Sequence, residues 1–303
     1  MWSRWAAVLG VLFAFSGGTL AETPDGLAGK ALELLSPVRD ARKAAVDFFL
    51  KRGNPDALPA LILARRFVDD DRDLQGALET LSGAKAQGWY DWMLWQEAHR
   101  EIAPFAGFDD FQSRLYRKID DGFGLFLRPG APHAIRLEEI TWGGVTKDGV
   151  PALTNPRLIA AGKAHYLQPD DLVFGLEINA DARAYPLRIM DWHELFNDVV
   201  GGVPVSLAYC TLCGSGIVYE TAVPGRDRPF VFGSSGLLYR SNKLMYDNAT
   251  DSLWEQFTGR PVVGALTGSG IELRARAARG DHVVGGLAAV ASRHARARHQ
   301  HRL

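Results

Sequence analysis

The hydrophobic period of this chain changes once, at Arg128-Pro129-Gly130-Ala131-Pro132, and that change limits the folds open to it. Before it, apolar residues recur three to four apart: Leu27, Ala31, Leu34 and Leu35, then Val46, Phe49 and Leu50. Such spacing gathers them on one face of a helix. Asn54-Pro55 breaks the run, helical stretches follow over 57–67 and 73–86, and Trp89-Tyr90-Asp91-Trp92-Met93-Leu94-Trp95 opens a fourth. Large aromatics so spaced are read as helix core before they are read as a ligand platform. After the change come short β-type runs at 171–178, 182–189, 203–209, 216–221 and 229–232, separated by Asn-Ala-Asp, Gly-Gly and Pro-Gly turns. Strands this close leave no room for crossover helices, so an antiparallel sheet or barrel is expected. A single helical insert is expected at 191–199. The fold class is therefore α+β, a helical region over 22–127 and a β-rich domain over 133–275.

The first residues form a separate signal. Arg4 precedes the apolar run Trp5 to Phe15, and Thr19-Leu20-Ala21 ends the segment as a small-x-small site. That is the pattern of a secretory signal peptide, expected to occupy 1–21 and to send the protein to the periplasm or outside the cell. Eleven residues fall short of the roughly twenty needed to span a bilayer. No later segment looks membrane-spanning. A formal net charge of -1 gives no field to attract nucleic acid, so a dedicated DNA or RNA binder is not expected. Nothing in the sequence names another partner.

Two cysteines are present, Cys210 and Cys213. The segment 204–209 reads as one strand and 215–220 as the next, so Cys210-Thr211-Leu212-Cys213-Gly214 falls at a hairpin turn. A C-x-x-C-G at such a turn resembles the metal-binding knuckle of rubredoxins and zinc ribbons, where glycine lets the backbone fold beneath the metal. One knuckle gives two ligands. His193 is the best third, and an N/S set of this kind suits copper or zinc; otherwise no cofactor is expected. Asp191, Glu194 and Tyr209 would surround that centre, with Asp191 or Glu194 orienting the imidazole. The plainer reading makes Asp191 a helix N-cap. Strands on both sides argue against a thioredoxin-type helix N-terminus, and Gly214 stands where covalent haem needs histidine. A plain or labile disulfide stays open beside the metal, because an oxidising compartment favours one.

Further polar candidates are Ser234 and Ser235 in Gly233-Ser234-Ser235-Gly236, with Asn242 and Asp247 beyond them. Gly-Ser-Ser-Gly lacks the ending of a phosphate-binding loop and reads equally as a tight turn. Asp247 is read as a turn or cap residue before an acid or base. Hydrolysis by His193 with Asp191 ranks last, since no nucleophile motif such as G-x-S-x-G is present.

Taken in order, 148–153, 171–175, 182–186, Trp192-His193-Glu194, the Cys210 turn and 237–254 resemble the prokaryotic domain-of-unknown-function 3179 family, over roughly 138–273. The resemblance implies an exported or envelope-associated domain carrying the C-x-x-C-G hairpin, and it implies no reaction. Thr211 stands where proline is commoner in such knuckles. The C-terminus departs further: the family's Leu-Pro-Val-Val-Thr-Thr-x-Trp segment is absent, and no aromatic residue follows Phe257. Read from the second base of each codon, with CGN for arginine, 276–285 permits Ala-Leu-Pro-Val-Val-Thr-Thr-Ser-Trp. The segment 276–303 is thus expected to be a frameshifted, disordered tail. Two functions follow: a metal-binding or thiol-redox domain using Cys210, Cys213 and His193, or a non-catalytic binding module whose cysteines staple a hairpin.

Overall fold

A computed structural model describes residues 23–168 and 170–276, with the backbone alone for 289–291. The expected signal peptide lies outside the described residues, as does most of the expected tail. Helices α1 (Pro24–Glu33), α2 (Arg39–Arg52), α3 (Leu58–Arg65), α4 (Arg72–Ser82), α5 (Gly88–Ala98), α6 (Phe108–Arg117) and α7 (Phe123–Phe126) come first. Their limits have local causes. Thr23 caps α1 by accepting from Gly26 N with Pro24 at the first helical position, and Asp71 caps α4 by accepting from Asp73 N and Leu74 N. α2 and α4 stop where Gly53 and Gly83 turn left-handed.

The strands are β1 (Ile140–Trp142), β2 (Leu153–Thr154), β3 (Leu158–Ala160), β4 (Val173–Ile178), β5 (Asp181–Pro186), β6 (Leu195–Val200), β7 (Val203–Cys210) and β8 (Ser215–Glu220). Then follow β9 (Phe232–Tyr239), β10 (Asn242–Asp247), β11 (Leu253–Glu255), β12 (Arg260–Val263), β13 (Arg274–Arg276) and β14 (Ala289–Ala291), and the one-turn helix α8 (Leu187–Met190) lies between β5 and β6. They make three sheets, ordered β1-β9-β10-β11-β12, β13-β8-β7-β6-β2 and β3-β14-β5-β4. Pairing is antiparallel except for β2 with β6 and β14 with β5. The protein is α+β, and among the described residues no barrel closes.

Period-two alternation stacks these elements in layers. On β10, Leu244 and Tyr246 join the helical core while Met245, between them, joins Phe232 and Trp254 against the second sheet. On β7, Ala208 faces that same inter-sheet core, and Val205, Leu207 and Tyr209 pack toward Leu176, Ile178 and Tyr185 of the third sheet. The order is helices, first sheet, second sheet, third sheet. The helical region shares its core with the first sheet, through Ile140, Leu237, Leu253 and Val263.

The expectation for 191–199 needs correction. The helical insert at 191–199 is not formed: α8 ends at Met190, and Leu195–Val200 is a strand paired along its length with β7. Leu195, Phe196, Val199 and Val200 fit a helical face by spacing, but pairing with β7 satisfies their backbone and buries most of them. Asp191 is accordingly not an N-cap; it closes α8 at the C-cap. Within the segment expected as a disordered tail, the backbone of 289–291 pairs between β3 and β5.

Candidate functional site

The β7–β8 hairpin places Cys210 at the end of one strand and Cys213 just before the next, with Cys213 N donating to Cys210 O and Gly214 taking φ +61. That positive φ suits glycine. The sulfurs are joined in a disulfide with the Cα atoms 5.3 Å apart. Its two ends differ in environment. Cys210 is 3% exposed, whereas Cys213 and its neighbour Leu212 lie open to solvent.

Behind Cys210 lies a cavity of about 180 Å³, walled by Thr211, Glu194, Lys243, Ser234, Gly236, Leu237 and residues of the 143–150 loop. Its shape comes from an irregularity between β9 and β10. Lys243 pairs with Leu238 and Met245 with Ser234, so a two-residue step on β10 meets a four-residue step on β9. Such bulges re-aim side chains. Gly236 sits in the bulge at φ +80, where a Cβ would lie 2.5 Å from Val145 O. Ser235 is spent on the bulge itself, donating to Leu244 O and accepting from Leu237 N.

Lys243 points into the space between the first two sheets. Its ammonium is bonded to Glu194 Oε2 and, at 2.9 Å, to Ser234 Oγ. Burial pushes its pKa below the ordinary lysine value, and the neighbouring Glu194 and Asp148 charges oppose that shift. Glu194 holds the turn from two sides. Its Oε1 accepts from Thr211 Oγ1 at 2.9 Å, and its backbone oxygen accepts from Tyr209 N at 2.8 Å. The residues before and after Cys210 are thus both fastened to Glu194. Glu194 has φ +54, and Arg240 and Ser241, in the β9–β10 turn, have φ +46 and +63. Backbone strain of this kind persists where its surroundings enforce it, and it gathers at functional sites. Cys213 Sγ lies 3.3 Å from Ser241 O and 3.6 Å from Asn242 Oδ1. Asn242 Oδ1 is fixed by Lys243 N, while its buried Nδ2 has no partner among the described residues.

His193 is placed differently from the expected third ligand. Its Nδ1 is 2.8 Å from Pro151 O, and the ring lines a separate cavity of about 530 Å³ with Arg188, Ile189 and Trp192. Among the described residues no three His, Cys, Asp or Glu side chains group as metal ligands. Asp191 meets the Tyr209 hydroxyl rather than the imidazole; burial first, then Asp191, raises the Tyr209 pKa. Asp247 is a turn residue: it accepts from Ala249 N, Thr250 N, Thr250 Oγ1 and Trp254 Nε1. Of the candidates read from sequence, Cys210, Glu194 and Ser234 share the cavity, Cys213 meets Asn242, Tyr209 meets Asp191, and His193, Ser235 and Asp247 bond elsewhere. Sequence reasoning passed over Lys243. No local pattern marks it, because the burial of every residue of its strand shows only in the fold.

Among the described residues no helix is long and apolar enough to cross a membrane. No curated protein and no solved structure matches the chain. Residues 147–278, a span that holds the disulfide, Glu194 and Lys243, match the family described as "Protein of unknown function (DUF3179)".

Proposed function

We propose that the β-rich domain is a thiol–disulfide exchange centre acting outside the cytoplasm, where its N-terminal segment would direct it. The observation that carries this reading is the division of one disulfide between an exposed cysteine and a buried one, the latter backed by a cavity that Glu194, Lys243 and Ser234 also line. An incoming thiolate reaches Cys213 Sγ, forms the new S–S bond there, and expels the electron pair of the old bond onto Cys210 Sγ. A second substrate thiolate then attacks the mixed disulfide. The substrate leaves as a disulfide and the protein as a dithiol, two electrons having passed between them. The reverse sequence reduces a substrate disulfide.

Reduction also frees two thiolates, soft donors that suit copper or zinc. The position of His193 at the other cavity favours exchange over a three-ligand metal centre. A purely structural staple gives the remaining alternative, a binding module.

The test is trapping with a small thiol substrate and its disulfide. Reduced Cys210→Ser is expected to accumulate a mixed disulfide at Cys213, and reduced Cys213→Ser to accumulate far less at Cys210. A wild-type disulfide that resists millimolar dithiothreitol in the folded state would overturn the exchange reading and favour the staple. Stoichiometric copper or zinc on the reduced protein, lost in His193→Ala, would replace it with the metal reading.

A further inference from the structure

Building on the exchange reading, we propose that the buried Glu194–Lys243 pair is the acid–base device that supplies and removes the proton of Cys210. The chemistry demands such a device. A thiolate released at Cys210 appears in a site shielded from solvent, and burial in apolar surroundings disfavours the charged sulfur. Cys210, Glu194 and Lys243 line one cavity of about 180 Å³, so the pair and the residue that receives the charge face a common space.

Three features suit the pair to this task. Lys243 is 5% exposed and Glu194 19%, so their proton exchange is local to the cavity. Desolvation weakens the hold of Lys243 on its proton, which makes it a better donor than a surface lysine. Glu194 is fastened to both residues flanking Cys210, its backbone oxygen accepting from Tyr209 N and its carboxylate from Thr211 Oγ1, so the ion pair is tied to the turn that carries the sulfur. Ser234 holds the ammonium from β9. The other ionisable groups bearing on the pair are Asp148, which acts on Lys243, and Tyr209 with its partner Asp191.

The step balances. When the S–S bond opens, its electron pair rests on Cys210 Sγ, and Lys243 Nζ passes one proton to that sulfur. The products are a neutral thiol and a neutral amine beside the Glu194 carboxylate, and the amine recovers its proton from solvent. In the oxidising direction, the ammonium first releases one proton to solvent, and the resulting amine takes the Cys210 proton as the sulfur attacks the mixed disulfide on Cys213 and expels the substrate thiolate. Glu194 acts through Lys243 as a positioning group and counter-charge.

The test uses the full chain and follows two rates from pH 5 to 10: attack of a small thiol on Cys213, and resolution of the mixed disulfide by Cys210. For Lys243→Met and Glu194→Gln, resolution near pH 7 is expected to fall about 10- to 100-fold, the usual worth of a proton-transfer group. The variants' resolution rate should climb about tenfold per pH unit with the Cys210 thiolate fraction, where the wild type is nearly flat. Attack on Cys213, whose leaving group is the Cys210 sulfur that Lys243 protonates, should slow by a similar factor near pH 7. Should Lys243→Met fail to fold, the near-isosteric Glu194→Gln carries the test. Wild-type resolution rates and pH profiles in the variants would overturn the proposal while leaving the exchange reading intact; absence of exchange in the wild type would remove that reading instead.

Discussion

Trp254 donates its indole Nε1 to Asp247 Oδ2 at 2.9 Å, in a site where both residues are fully buried. The same carboxylate accepts from Ala249 N, Thr250 N and Thr250 Oγ1. It therefore closes the β10–β11 turn and fixes the largest ring of the inter-sheet core at once. Asp247→Ala leaves those donors without an acceptor, and a cost of about 2–4 kcal/mol is expected. Urea denaturation followed by tryptophan fluorescence measures it; a loss under about 0.5 kcal/mol would show that the turn is held otherwise.

Arg183 bonds Asp181 on its own strand and Asp198 on β6, and Tyr185 donates to the same Asp198 oxygen. The Asp181 pKa lies below the ordinary aspartate value, chiefly through the Arg183 hydrogen bond and then through Gly201 N. The unfolded chain binds a proton near pH 3.9, and the folded chain only at lower pH. The stabilisation is thus complete above that range and is lost as pH falls through the folded value. Asp181→Asn should lower stability at pH 7 by under about 1 kcal/mol, given the partial exposure of the pair. The gap to the wild type should close on acidification below about pH 4. A gap that widens in acid would contradict the assignment.

Gly201 and Gly202 join β6 to β7, both at positive φ, yet only one is crowded. A Cβ on Gly201 would lie 2.1 Å from Ile178 O, whereas one on Gly202 meets nothing within 4 Å. Gly202→Ala is expected to cost about 1–2 kcal/mol, the price of left-handed backbone with a side chain. Gly201→Ala must also displace β4, and a loss beyond about 3 kcal/mol is expected. Paired thermal melts decide it; equal losses would show that the β4 end yields freely.

The proposal of export, read from the segment ending at Ala21, predicts a mature chain that begins at Glu22. Intact-mass measurement on protein recovered from the periplasm or medium checks this, and retention of Met1 or Trp2 would refute cleavage after Ala21.

The hairpin at Cys210 was legible because its flanking strands alternate and its turn carries Gly214. The strand at Leu195–Val200 was not, because four apolar residues in that spacing satisfy a helix as well as a strand; only pairing with β7 decides between them. The disulfide was left open beside a metal, since two sulfurs three residues apart serve either. Lys243 lies 49 positions from Glu194, and no local pattern encodes an ion pair made by stacking two sheets. His193 was read as a ligand because it lies shortly before the hairpin, a nearness in sequence that does not fix where the ring bonds; its Nδ1 meets Pro151 O.

The layering of β9, β10 and β11 has a consequence for where this unit can be cut. One side of these strands seats Met245 and Trp254 against the hairpin sheet; the other presents Leu237, Leu244, Tyr246 and Leu253 to the helices. The family span begins at Lys147, after β1 and the whole helical layer. Excised alone, it would bare that second side to water as a continuous oily surface, directly behind the strand that carries Lys243. Residues 147–278 are thus a smaller unit than the one whose core is closed, and the helical layer must stay with them for that surface to remain covered.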